Sequence, residues 1–262
     1  MPSSRKKPET QGGLSGTALK YIAMTTMLAD HIGAVLLERI VYYRGNLEQV
    51  AMLMTSQWGD TLYWLWRMLR TVGRIAFPIY CFLLVEGFLH TRDWRRYWLR
   101  MAAFALISEI PFRLAVWNTW AGGSSNVYVE LAIGLLVLRG LKQSEGLTQP
   151  RRAAGMAAVI GGGCLAAVFL KADYDMDGIL IISLFYLLRE KRIVQVMSGG
   201  ILSLLESWNM CYGAGILSAV PLYFYNGKKG QAPWKYAFYW FYPLHLMVLF
   251  FIRLYVVGIP LG

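Results

Sequence analysis

Residues 27–37 read MLADHIGAVLL. Nine of these eleven residues are apolar or glycine; the other two, Asp30 and His31, set an acid and a titratable ring in a stretch otherwise suited to lipid. An ionised side chain at the centre of a bilayer costs roughly 2.5–3.5 kcal/mol on insertion scales, so such residues turn inward, to partners or to water. At about 100° per residue of helix, Asp30 and His31 leave in different directions and do not orient each other. Asp30 shares its face with Ala23, Thr26 and Gly33. These small or hydroxylated residues let a neighbouring helix approach, and Thr26 is expected to hydrogen-bond Asp30. His31 shares its face with Met24, Met27, Leu28 and Val35 and is expected to look into a cavity.

The rest of the chain is of similar material. Of 262 residues, 56% are hydrophobic and 16% charged, against about a quarter charged in a soluble domain. The expected fold is therefore all-α, a polytopic transmembrane helical bundle with about nine spans of roughly 20 residues. The spans fall at 19–43, 74–91, 96–115, 126–141, 153–171, 177–190, 193–208, 211–226 and 235–258. Of these, 177–190 and 193–208 are short and are expected to be tilted, buried in protein or re-entrant. Residues 61–72 are expected to form an interfacial helix with Arg67 and Arg70 at the polar surface. The polar segment 1–18 is expected to be disordered, and 19–262 to form one transmembrane domain.

The net charge of +11 is gathered in alternate connections. One set holds Arg5 to Lys7, then Arg92, Arg95 and Arg96, then Lys142, Arg151 and Arg152, then Arg189 to Arg192, then Lys228 and Lys229. The other holds Asp60, the glycine-rich 121–125, Asp173 to Asp177, and Glu206. By the positive-inside rule the first set and the N-terminus are cytoplasmic. Cations confined to short gaps between apolar runs argue against a nucleic-acid face. Cys81, Cys164 and Cys211 are odd in number and include no CxxC, so they are expected to be inert buried thiols, and no metal is expected.

Further ionisable residues lie inside the spans. Arg74 opens GRIAFP near the outer end of its span; Glu86 and His90, four apart near the inner end, are expected to pair. Glu109 precedes Pro111, which is expected to kink or end its helix, and His245 follows Pro243 in FYPLH. The stretch DYDMDG (173–178) has the start of a calcium loop, but position twelve falls on Leu184 in an apolar run, so an EF-hand is excluded. No GxSxG, Walker, HExxH or dinucleotide fingerprint occurs.

Four stretches taken in order, LKYIAMTTMLADHIG, GRIAFPIYCFLLVEGFLHTRDWRRYWLRMAAFALISEIPF, ADYDMDGIL and KYAFYWFYPLHL, resemble the TraX family of integral membrane proteins. The resemblance runs over most of 19–247, with one departure at DYDMDG, where a glycine is expected soon after the tyrosine. It implies a multi-pass protein of the bacterial cytoplasmic membrane. TraX is implied to acetylate the N-terminal amine of conjugative pilin. The family is also distantly similar to membrane-bound acyltransferases, of the lysosomal heparan-glucosaminide type among others, in which a membrane-embedded histidine is catalytic. Its Asp-His pair falls on Asp30 and His31, and its other polar positions on Arg74, Glu86, Glu109, Asp173 and His245.

The function implied is transfer of an acetyl group from cytosolic acetyl-CoA, the only cofactor expected, to an amine or hydroxyl of a peptide N-terminus, glycan or small molecule. His31 is the general base or acyl carrier. Arg74 or His245 stabilises the oxyanion, Asp30 or Glu109 fixes the geometry, and Thr26, Glu86 and Asp173 belong to a supporting polar network. Arg92, Arg95, Arg96, Arg100, Lys228 and Lys229 are the candidates to hold the coenzyme phosphates. The lipid bilayer is the expected partner, and a homo-oligomer stays open. The alternatives are a small-solute transporter, for which no internal symmetry is found, and a non-catalytic assembly factor of a secretion or conjugation system.

Overall fold

A computed structural model describes residues 12–41, 55–231, 234 and 236–258. Residues 1–11, with most of the segment expected to be disordered, and residues 42–43 and 235, at the ends of two expected spans, lie outside the described residues. The described chain is helical, with one isolated bridge between Leu14 and Tyr225 and no longer strand among the described residues.

Among the described residues, ten α-helices of five residues or more carry the fold. They are α1 (Gly16–Ile32), α2 (Trp58–Gly73), α3 (Ala76–His90), α4 (Trp94–Phe112), α5 (Val127–Ser144), α6 (Arg151–Phe169), α7 (Asp175–Leu187), α8 (Arg192–Cys211), α9 (Ala219–Tyr223) and α10 (Ala237–Ile252). Local chemistry sets several starts. Ser15, Asp93 and Asn126 cap α1, α4 and α5, their side chains accepting from Ala18, Arg96 and Tyr128 N–H groups. Three helices widen into π turns, Gly33–Leu37 after α1, Arg113–Trp117 after α4 and Arg253–Val257 after α10.

Helices α3, α5 and α7 form the centre, where Ile79, Phe82, Leu135, Leu138, Ile182 and Phe185 are fully buried. Helix α8 closes on α7 because Gly199 leaves room for Phe185: a Cβ there would stand 2.2 Å from the ring. The periphery is apolar as well, with Phe169 84% and Leu106 80% exposed. Large contiguous apolar surface is unusual on a soluble monomer and is what lipid-facing helices present. Among the described residues, three helical runs are long and apolar enough to cross a membrane: Trp58–His90 (33 residues), Arg151–Phe169 (19) and Ala237–Val257 (21).

The connections alternate between two ends of the bundle. At one end Arg189 pairs with Glu145 at 2.7 Å, Lys142 lies over the Phe88 ring, and Leu14 to Thr17 bond the backbone of 224–229. At the other, Ser125 N–H donates to the Lys171 carbonyl and Ser124 to Asp173. The two sets of loops are those that the charge pattern separates.

Four expectations change. The boundary at residue 18 falls inside α1, and Leu14–Thr17 are pinned by backbone bonds to Phe224, Lys228 and Lys229. Segment 193–208 is not short: α8 has 20 residues, about 30 Å of helix. Segment 211–226 is not one helix. Tyr212 and Gly213, at φ 51° and 76°, end α8, and the chain goes on as a 3-10 turn (Ala214–Ser218) and α9, which run back along α8 to Arg192. Finally, 61–72 does not lie flat at a surface with Arg70 outward. Helix α2 packs along α1 and leads into α3 through a turn at Arg74–Ile75, and Arg70 points inward.

Arg253, fully buried, closes one end. Its guanidinium donates to the carbonyls of Ala115 (2.7 Å) and Leu114 (2.8 Å) and to Asn118 Oδ1 (2.6 Å), serving carbonyls that the π turn after α4 leaves over. We expect Arg253→Met to cost about 3 kcal/mol, since buried acceptors then go unpaired. A thermal midpoint in detergent equal to wild type would contradict this.

Candidate functional site

His31, in the last turn of α1, and His245, in the middle of α10, meet in the interior: His31 Nδ1 lies 2.7 Å from His245 Nε2. Phe241 stacks on His245 at 4.6 Å, and Tyr242 meets both imidazoles edge-on, at 5.8 Å between centroids. Helix α10 runs through Pro243 unbroken. The proline has no N–H for the Tyr239 carbonyl four residues back, and the Tyr128 hydroxyl donates to that oxygen at 3.1 Å.

The contacts fix the protons. His245 Nδ1 lies 2.6 Å from the Phe241 carbonyl, which can only accept, so Nδ1 carries hydrogen. In a neutral ring Nε2 is then bare and accepts, so His31 Nδ1 donates to it. The Nε2 of a neutral His31 is left with its lone pair. His245 thus sets the tautomer of His31, as a carboxylate does in other His-centred sites.

Asp30 leaves α1 on another face, as the helical spacing predicts. Its two oxygens accept from Arg70 at 2.7 Å and Arg74 at 2.9 Å. Glu206 of α8 lies 3.9 Å from Arg74, and Glu38 lies 3.6 Å from Arg70. Asp30 therefore ties α1 to α2 and to the α2–α3 turn. It does not orient His31, whose ring is held by His245. Thr26 does not bond Asp30; its hydroxyl donates back to Ile22 and Ala23 carbonyls. Close approach needs Gly73, where a Cβ would stand 2.2 Å from the Asp30 Cβ. Gly73→Ala should force the helices apart and cost about 1–3 kcal/mol, lowering the melting midpoint; an unchanged midpoint would show slack at this contact.

Other predicted residues lie elsewhere. Glu109 bonds Arg113 (2.8 Å) and Asn126 Nδ2 (2.6 Å), bracing the start of α5 in a helix that continues past Pro111. It is not in the His31 shell. Glu86 accepts from Tyr225 at 3.1 Å, and His90 bonds the Glu86 backbone carbonyl rather than its carboxylate. Asp173 lines an open cleft of about 460 Å³ with Trp117, Gly123, Ser124, Lys171, Ala172 and Asp175. Arg92, Arg95, Arg96, Lys228 and Lys229 are exposed at the opposite, basic end, on two elements, and Arg100 lies half-buried beside Tyr97.

Sequence reasoning missed Arg70, Glu206, Glu130 and Arg253 as interior groups. The spacing of Arg70 from Arg74, one helical turn, was the available signal. Glu130 lies near the start of an expected span, in the first turn of α5, and is fully buried with neither carboxylate oxygen hydrogen-bonded.

The class is thus a helical, membrane-type protein whose interior holds an ordered histidine pair beside a carboxylate clamped by two guanidiniums. The sequence model of the family described as TraX protein matches residues 15–253, and the chain belongs to the TraX family. It is 29% identical over 236 residues to the probable fimbrial assembly protein FimC, serogroup H1, of Dichelobacter nodosus, with 78% of this chain and 88% of that protein covered. No solved structure matches it.

Proposed function

We infer that the chain is a multi-pass protein of the bacterial cytoplasmic membrane that moves an acetyl group from cytosolic acetyl-CoA to an amine or hydroxyl acceptor. In this reading the chain crosses nine times, the broken segment 211–226 included, with its basic end in the cytoplasm. The observation that carries the reading is the bare Nε2 of His31, held in one tautomer by His245.

His31 Nε2 takes the acceptor's proton as the acceptor attacks the thioester carbon, while His245 holds the imidazolium in place through Nδ1–H. The proton then passes to the departing thiolate. In the covalent variant the same nitrogen attacks first and carries the acetyl group. The exposed cations of the basic end, with Arg100, receive the coenzyme phosphates. The acceptor enters from the opposite end, where the cleft beside Asp173 opens.

A second reading is favoured by the name of the relative: a fimbrial assembly factor without chemistry. Purified protein given acetyl-labelled acetyl-CoA separates the two. An acyltransferase releases free thiol or becomes labelled above a boiled control; an assembly factor does neither.

A further inference from the structure

Acyl transfer at His31 needs a second group: a donor for the oxygen of the thioester carbonyl, which gains negative charge as the acceptor attacks. The groups expected for this from the sequence are already engaged. Arg74 is bound to Asp30 and faces Glu206. Both nitrogens of His245 are used, one on Phe241 and one on His31.

Tyr242 is different. It is buried, and its ring is in edge contact with both imidazoles. Its hydroxyl has no hydrogen-bond partner among the described residues. The Val127 N–H at the head of α5 faces the phenol oxygen outside hydrogen-bonding geometry. An N–H can only donate, so the phenol proton is uncommitted in either case. A buried hydroxyl with an unspent donor is costly, and here, beside the two imidazoles, its proton is free to meet a ligand atom.

Resting on the acyl-transfer reading, we propose that Tyr242 is the catalytic residue that donates a hydrogen bond to the carbonyl oxygen of the transferred acyl group. The acceptor's N–H or O–H proton goes to His31, the new C–N or C–O bond forms, and the C–S bond breaks. The phenol keeps its proton throughout and lends it only as a hydrogen bond.

Tyr242→Phe removes one oxygen and keeps the ring contacts, so the fold should persist. With acetyl-CoA as donor and water as acceptor, thiol release by Y242F should fall about a hundredfold in kcat, with KM unchanged. A second readout does not depend on turnover. The ketone stretch of bound acetonyl-CoA, an analogue that cannot transfer, should lie at lower frequency in wild type than in Y242F. Wild-type turnover in Y242F, beside an inactive H31A, would remove Tyr242 from the mechanism and leave the acyl-transfer reading standing; so would identical carbonyl bands. Wild type no faster than H31A would bring down that reading, and this proposal with it.

Discussion

His31→Ala abolishes acetyl-CoA-dependent thiol release and labelling, with a loss of about a thousandfold or more, while the protein stays helical and monodisperse. General-base catalysis by a placed side chain contributes about 10²–10⁴-fold, and a nucleophilic role would lose more. The side chain deleted is one ring, and the pocket it leaves is bordered by His245 and Tyr242, which contact each other without it. His245→Phe should lose less, about a hundredfold. His31 stays present but no longer has its Nδ1–H fixed, so only part of the population presents a bare Nε2. The order H31A below H245F below wild type is the signature of an oriented base. H31A that turns over like wild type would rule out the role of His31; H245F equal to wild type would rule out the orienting role of His245.

Replacing Asp30 by Ala costs about 3–5 kcal/mol, the range for removing one partner of a buried ion pair and leaving the other charge uncompensated. Here two guanidiniums lose their nearest carboxylate at once, and keep only Glu38 at 3.6 Å and Glu206 at 3.9 Å. The carboxylate is bonded to Arg70 and Arg74, and all three side chains are little exposed. Arg70→Met should cost less, because Asp30 keeps Arg74. The triple variant Asp30→Leu, Arg70→Met, Arg74→Met should recover part of the loss, since the clamped carboxylate and both guanidiniums leave together and only the longer contacts to Glu206 (3.9 Å) and Glu38 (3.6 Å) are lost. Midpoints of thermal unfolding in detergent would test the order D30A below triple variant below R70M. D30A as stable as wild type would mean that water reaches the cluster and solvates it. Turnover per folded molecule should fall far less in D30A than in H31A, because Asp30 does not touch the reacting ring.

The divergence of Asp30 and His31 was legible in the sequence because adjacent helical residues must face different ways. The alternation of basic and acidic loops was legible because it is a property of the order of charges alone. The His31–His245 contact was not: 214 residues separate them, and no local period couples α1 to α10. The direction of Arg70 was misread because an amphipathic helix shows which face is polar but not what that face meets. Here the polar face finds a buried carboxylate. Segment 211–226 has the hydropathy of a span, yet the left-handed Tyr212 and Gly213 break it after Cys211, a property of backbone dihedrals rather than of average polarity.

The π turns at 33–37, 113–117 and 253–257 each hold one residue more than the α ladder needs. Deleting a single residue from one of them would let the ladder heal, where the same deletion elsewhere would throw a whole helix out of phase. The chain beyond the deletion would swing by about 100°. In the first turn that swing would carry Arg39 off the Val116 carbonyl. Length changes of one residue should therefore accumulate at these sites among relatives, and each should re-aim the segment that follows without disturbing the histidines.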